Sequence, residues 1–570
     1  MKQRVVMSMF ALIALCFAGP PATADDEGDR KPGAPVSYQA SRFDISAPLI
    51  DMALTSQDTR SFVVEHREPV VPEGINRLPD GWNGTVGVRH SPHVHQTDTG
   101  NRGVNPTPTV NVQGLGRGFT NYSISGSPPD PTGAPGLEHY VQWVNVHYAF
   151  FNKDGSVVDL VGNDFVSGNA LWSGFGGACE SDNDGDPIVL YDQLADRWML
   201  SQFAFASGGT TGPFYQCLAV SQTSDPLGSW YRYEYVWPNN LFNDYPKFGL
   251  WPDGYYLTVN QFTGNDAWRG AGVAVFEREK MIAGNPSAGI QYWDLGTGWG
   301  SLVPSDLDGS TEPPQGSPAY LFTASNGVTD YINIWEVSMD WDTPGNSTCG
   351  DGSNDPNSSV VVTSFVTSQG ITQPGGATLD TLSYRLMHRA PYRNFGTHES
   401  IVLSHAVMNP TLMRWYEIRD PGGTPVLHQE GSYQPDTTER WMGTIAMDRM
   451  GNMMMGYSAS DDTVSPSIRM AGRLADDPLG TLPVGEIEVM TGSGYQRNVD
   501  RWGDYTTMAI DPVDDCTFWF TGQYTDNVGI FNWRTRVVAI RFPNCEAGQL
   551  FADGFESGET NLWSDVVGGF

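Results

Sequence analysis

Along most of the chain, short apolar and aromatic runs alternate with polar turns rich in Asp, Pro, Gly and Asn. The stretch 501–524 shows the unit most legibly: an apolar run ending at Ile510, a turn from Asp511 to Asp515, then an aromatic run through Phe518, Trp519 and Phe520 to Tyr524. Two such runs around a tight turn predict an antiparallel hairpin. The shape recurs at 186–203, 247–260 and 443–457, with turn aspartates Asp192, Asp253, Asp448 and Asp511. Their spacing fits a period of about 63 residues, the size of a four-stranded repeat with generous loops. One turn per repeat gives Asp154, Asp192, Asp253, Asn326, Asn409, Asp448 and Asp511. Apolar stripes of helical period are scarce. The pattern predicts an all-β fold, a single β-propeller of seven blades, with six blades and longer insertions as the alternative.

The ends read differently. Lys2 and Arg4 precede the apolar run 5–18 and the small residues Ala22-Thr-Ala24, the order of a secretory signal peptide, with cleavage expected after Ala24. Cys16 follows Leu15, too large for a lipoprotein box. The run is too short to span a bilayer and no other segment comes closer, so no transmembrane segment is expected. Residues 25–105 read as an extended arm along the main domain, 106–545 as the propeller and 546–570 as a tail. The stretch 340–376 reads as one long mobile loop.

Composition sharpens this picture in two respects. The formal net charge of −33, more negative still once Lys2 and Arg4 are removed, repels phosphate backbones and argues against nucleic acid as a partner. In an exported chain the cysteines are disulfide candidates: Cys179 with Cys217, and Cys516 with Cys545, leaving Cys349 over. No CxxC spacing suggests zinc or redox chemistry.

The segment from Pro128-Pro-Asp-Pro131 through His139-Tyr-Val-Gln142 to Asn145 resembles the "PPDTNG…GP.HYVQ.VN" signature of a group of exported bacterial propeller-like proteins. The resemblance continues at 183–192 with Arg197-Trp198, at 244–249, 251–256 and 304–309, at Arg440-Trp441, 457–458 and 466–469, and at Arg501-Trp-Gly-Asp-Tyr505. Pro131 and Ala134 depart from the signature. The resemblance implies a propeller fold and an export route; the group has no settled activity. The tail 550–564 resembles a short C-terminal "DGFESG…WS" signature of exported proteins from gammaproteobacteria.

In a propeller, residues just ahead of each blade's hairpin converge on one mouth of the central channel. That places His139, Asp186, Lys247, His398, Glu399, Arg440, Arg501 and Asp504 together. Such a mixed ring either locks the blades by ion pairs or recognises an anionic or polyhydroxylated ligand, its arginines binding carboxylate and Trp441 and Trp502 stacking on sugar faces. Glu399 with Asp504 or Asp186 could supply the two carboxylates of a glycosidase. For a cofactor, Asp182, Asp184 and Asp186 have the alternating oxygen-rich spacing that suits Ca²⁺; the competing reading is a turn whose carboxylates accept backbone amides. His90, His93 and His95 read as loop histidines, and 114–118 as strand-turn glycines rather than a phosphate loop. HExxH and GxSxG motifs in a plausible context are absent. The reading is an exported binding or surface-interaction module for an extracellular ligand, a glycan or a surface protein. The alternative is a carbohydrate-active hydrolase or lyase.

Overall fold

The computed structural model describes residues 33–53 and 70–545, apart from 101, 104–105, 125, 161, 206–210, 265, 326–328, 369 and 409. The expected signal peptide and the tail therefore lie outside the described residues. Among those residues α-helix is confined to Leu49–Ala53, Ala178–Ser181 and Arg278–Ile282, and the fold is all-β.

The strands form antiparallel meanders in chain order. The first contains Pro131–Pro135, His139–Val144, His147–Asn152 and Val166–Ser167. The second runs through Ile188–Asp192, Arg197–Phe205, Phe214–Ser221 and Trp230–Val236, and the third through Phe242–Trp251, Gly254–Phe262, Trp268–Phe276 and Gly289–Gly296. Two further meanders begin at Val303–Leu307 and Ala390–Asn394, and these leading strands pair in parallel, Ser305 opposite Ala390. Another follows from Glu439–Met447. The last begins at Thr507–Ile510, and its outer strand is Val110–Gln113, supplied from ahead of the first meander. Each leading strand packs on the next, and the last packs on the first, so the ring closes. The architecture is propeller-like.

Packing explains why the sequence shows runs rather than strict alternation. Strands sandwiched between neighbouring meanders are covered on both faces; Gly254–Phe262 is buried at every position. Indoles fill the space between sheets, with Trp143, Trp198, Trp251, Trp335, Trp415 and Trp519 among the most buried side chains. At the axis, space is short: a Cβ on Gly249 would sit 2.2 Å from the Ser305 carbonyl oxygen, so glycine lets two leading strands approach.

The periodic aspartates are turn residues. Asp192 Oδ1 accepts the Leu194 and Ala195 amides, each at 3.1 Å. Asp448 Oδ1 accepts those of Met450 and Asn452, each at 2.9 Å. Asp253, Asp448 and Asp511 stand in the hairpin after a leading strand, and Asp192 is the last residue of one. Asp154 instead follows the third strand of its sheet, and the leading hairpin there spans 136–138. Asn326 and Asn409 lie outside the described residues; the leading hairpins of their sheets occupy 308–318 and 395–398. The stretch 340–376, expected to be one loop, contains the outer strand Ser358–Phe365.

The N-terminal arm runs along the rim and adds strands to outer edges. Val36–Gln39 pairs with Gly289–Gly296 and Arg42–Ile45 with Trp230–Val236, both antiparallel. Thr85–Val86 joins Ser358–Phe365, and Val88–Arg89 and Val94–Gln96 join Val426–Tyr433, all in parallel. Covering edge strands removes the unpaired amides that invite association. Cys179–Cys217 and Cys516–Cys545 are disulfides, with Cα atoms 5.8 and 5.6 Å apart. Cys349 is a free, buried thiol whose pKa burial pushes up.

Candidate functional site at the two ends of the channel

The ring of leading strands has a start end, where those strands begin, and a finish end, where they pass into their hairpins. At the start end two strands are entered through non-glycine residues in the left-handed region, Asp130 (φ 43°) and Asp186 (φ 47°), and Tyr245 (φ 54°) sits at an irregularity within the strand Phe242–Trp251, a backbone conformation held only where the surroundings demand it. These turns aim polar side chains at one another. Asn145 Nδ2 donates to Asp130 Oδ2 at 2.9 Å, and Asn145 Oδ1 accepts the Asp186 amide at 3.1 Å. The Asp504 amide donates to Asp130 Oδ1 at 3.1 Å, and the Tyr505 hydroxyl donates to Asp186 Oδ2 at 2.6 Å.

Lys247 lies among them, fully buried, with Nζ 3.4 Å from the ring centroids of both Tyr245 and Tyr505. The Arg385 guanidinium covers Tyr245 at 4.2 Å. Burial lowers the Lys247 pKa to about 7, outweighing the charges of Asp504, Asp186 and Asp130. Burial, reinforced by the charge and contact of Asp504, pushes Asp130 well above the usual carboxylate range, so its acid form is favoured. Asp130 is 1% exposed and Asp504 2%. The start end is a closed knot of mutually compensating charges.

The sequence-expected ring is split between this knot, the sheet interiors and the finish end. Asp186, Lys247 and Asp504 come together in the knot. Arg501 is at the same end but donates to Asp380 at 3.1 Å. Arg440 turns into its own sheet, paired with Glu486 at 2.8 Å and Asp436 at 2.9 Å, which raises its pKa. Trp441 and Trp502 are fully buried and pack on each other, centroids 5.3 Å apart, leaving no open face for a sugar. Glu399 pairs with Asn394, the last residue of its leading strand, and accepts from the Tyr392 hydroxyl. It therefore stands at the finish end, away from Asp186 and Asp504. His398 and His139 are there too, because both follow their leading strands. His398 stacks on Phe395 at 5.0 Å, and burial lowers its pKa.

The aspartates of the 182–186 loop do not converge. Ser181 Oγ donates to Asp182 at 2.5 Å, Asp184 Oδ2 accepts the Phe205 amide at 2.9 Å, and Asp186 accepts from Tyr505. Among the described residues no group of three or more His, Cys, Asp and Glu side chains could hold a metal ion.

The finish end is open. A cavity of about 110 Å³ is walled by Tyr191, Asp308, Ser310, His388, Arg389 and Ile510, with others from the same leading strands. Arg389 crosses the axis: its Nε donates to the Met508 carbonyl at 3.0 Å, Nη1 to Asp306 at 2.7 Å, and Nη2 to Asp308. Burial nevertheless lifts the Asp308 pKa to about 6, Arg389 and Arg393 opposing it. Asp308 Oδ2 and both ring nitrogens of His388 are buried and make no hydrogen bond within the protein. His388 is 1% exposed, and burial together with the Lys247 and Arg389 charges holds it neutral.

Sequence reasoning assigned Asp130 no role. It missed Tyr245, Tyr505 and Arg385, and also His388 and Arg389, which fall between recognisable hairpins. The tight Pro128-Pro-Asp130-Pro131 turn was the available signal for Asp130.

No protein-family model matches the chain, and no curated protein matches it. Solved structures similar to it include the endo-arabinase from Bacteroides thetaiotaomicron, at 14% identity over 52% of this chain and 95% of that one, TM-score 0.27. The α-L-arabinanase from Penicillium chrysogenum complexed with arabinobiose is 9% identical, covering 77% and 98%, TM-score 0.30. The Dos1 propeller is 8% identical, covering 70% and 75%, TM-score 0.32. These values are too low for the neighbours' substrates or activities to bear on this chain. Among the described residues no helix is long and apolar enough to cross a membrane.

Proposed function

We propose that this chain is an exported, seven-bladed β-propeller that acts as a binding module and takes an extracellular ligand at the finish end of its central channel. The observation that carries the reading is the cavity among the ends of the leading strands, beside the tightly closed opposite end. Mouths of closed β-arrays are where such folds present ligand sites. Export is supported by the signal-peptide pattern and by two disulfides, which persist in oxidising compartments. The test uses Ser310→Trp, a bulky residue placed at an exposed position of the cavity wall. A glycan-array and surface-protein screen of the mature chain should give binding that this variant loses; binding that survives it would place the site elsewhere.

A second reading, a carbohydrate hydrolase or lyase, is favoured by the gathering of Asp130, Asp186 and Asp504, one of them held toward its acid form. Their burial weighs against it. Release of reducing ends from a polysaccharide, abolished in Asp504→Asn, would establish it in place of the binding reading.

A further inference from the structure

Five of the chain's ten histidines, His90, His93, His95, His398 and His428, gather on the outer side of the fifth meander. There the N-terminal arm lays Val88–Arg89 and Val94–Gln96 along the strand Val426–Tyr433. This stretch of the arm is anchored at both ends. On one side the Trp82 indole donates to the Pro356 carbonyl at 2.8 Å, and the Thr85 amide to the Asn357 carbonyl at 3.0 Å. On the other, the buried Gln96 side chain exchanges hydrogen bonds with the Leu482 backbone, at 3.3 and 2.7 Å. Between the anchors the hold is polar. The His90 amide donates to the Leu427 carbonyl and the Ser91 hydroxyl to the His428 carbonyl, each at 2.9 Å, while Val88 is 53% exposed and His90 and His95 are exposed as well. A segment with so little buried apolar surface opens locally with ease. Side-chain charge then decides whether it stays docked.

Two contacts on this segment favour uncharged imidazoles. The His90 and His428 rings stack, centroids 4.8 Å apart and planes inclined by 11°. His398 and Arg419 add like charge to the surroundings of His428, and Glu417, the carboxylate facing it, is already engaged by Ser400, Arg419 and Gln429. Two imidazolium rings in that stack would repel each other. In the second contact, His93 Nε2 lies 3.0 Å from Ser432 Oγ, and the same oxygen accepts from Arg414 Nε at 2.7 Å. With the guanidinium donating to Ser432, the hydroxyl proton is free to turn to His93, whose Nε2 then accepts. A protonated His93 would set a second cation against Arg414, with Arg89 and His95 close by, while Glu430 is taken up by Arg89 and Thr363. Burial first, then these cations, bring His93 and His428 each from 6.5 down to about 4, against the pull of Glu430 and Glu417.

We propose that residues 88–96 form an acid-released strap: protonation of His93 and His428 lifts them from Val426–Tyr433 while the two anchors hold. Once lifted, the imidazoles stand in water with their ordinary affinity for protons. Docking is therefore complete above about pH 6.5 and weakens as pH falls from there through about 4. Lifting the strap uncovers a sheet edge, the kind of surface on which a further strand can add.

The test is hydrogen–deuterium exchange read by mass spectrometry on the full, disulfide-intact chain at about pH 7 and about pH 4.5, each rate divided by the intrinsic rate at that pH. Protection of peptides covering 86–97 and 426–434 should fall by about tenfold or more at the lower pH, while the fully buried strand Gly254–Phe262 keeps its protection. His93→Gln and His428→Gln should each shrink the fall, and the double variant should stay protected at both pH values. Leucine at the same two positions replaces glutamine should the amides loosen the strap at neutral pH. Wild-type protection that does not change overturns the proposal, as does a loss spread over the whole chain, which is global acid unfolding. An equal fall in the wild type and the double variant also overturns it, since groups other than these imidazoles would then set the response.

Discussion

At the start end of the channel, Lys247 is enclosed by Asp130, Asp186 and Asp504 beneath Tyr245 and Tyr505. At the finish end, Arg389 is held by Asp306 and Asp308 beside a cavity. Both ends pair a cation with carboxylates on leading strands. They differ in how completely the side chains fill the space. Two aromatic rings close over the Lys247 ammonium, whereas the planar Arg389 fork lies beside open space walled by Tyr191, Asp308 and Ser310. Under the binding reading, the same kind of charge cluster fastens the fold where it is sealed and borders the ligand site where it is not.

The largest expected effect comes from opening the fastener. Lys247→Met should destabilise the chain by on the order of 3 kcal/mol in urea unfolding, because it strands buried carboxylates without their cation. A loss below about 1 kcal/mol would mean the start end does not depend on that charge.

Next comes the pH response of the finish end. The Asp308 pKa is raised from 3.8 to about 6 in the folded state. The folded protein therefore holds this proton through a window where the unfolded chain has released it. The associated stability is complete below the ordinary value, falls as pH rises through about 6, and is flat above. Relative to Asp308→Asn, the wild type should lose on the order of 2 kcal/mol between about pH 4 and pH 7. Parallel stability profiles for the two proteins would show that burial does not perturb this carboxyl.

A smaller effect probes the acid form of Asp130. Its raised pKa makes the wild type lose stability as pH rises from the ordinary carboxylate value, a loss the amide does not share. Asp130→Asn should therefore gain on the wild type between mildly acidic and mildly alkaline buffer. A variant that falls behind as pH rises would show that the ionised carboxylate is the form the knot requires. The smallest effect belongs to Ser310→Trp, which should change unfolding free energy by no more than about 0.5 kcal/mol while blocking the cavity.

How far the sequence disclosed this depends on which physical signal each part leaves. Asp192, Asp448 and Asp511 were legible because a carboxylate that caps turn amides must sit at a fixed place in a hairpin, and Asp253 because it occupies the same turn position. The phase was lost in the first, fourth and fifth meanders, whose leading hairpins, 136–138, 308–318 and 395–398, lack such a residue at the expected interval. That slip is why His139, His398 and Glu399 were grouped with Asp186 and Asp504, although they stand at the opposite end. The paired cysteines were legible from their spacing. Trp441 and Trp502 were misleading: an indole beside an arginine looks the same in sequence whether it faces a ligand or a neighbouring sheet. The outer strand Ser358–Phe365 was hidden by the Gly, Ser, Asn and Asp that surround it in sequence. The start-end knot draws on residues hundreds of positions apart, Asp130 with Asp504 above all, and no local pattern records such a contact.

The most direct measurement is a crystal structure of the mature chain soaked with a ligand found to bind in solution. The account predicts density for that ligand at the finish end, against Tyr191, Asp308 and Ser310, with the Lys247 knot unchanged. Density beside Asp130 and Asp504, or on the outer rim with the finish-end cavity unaltered, would contradict it.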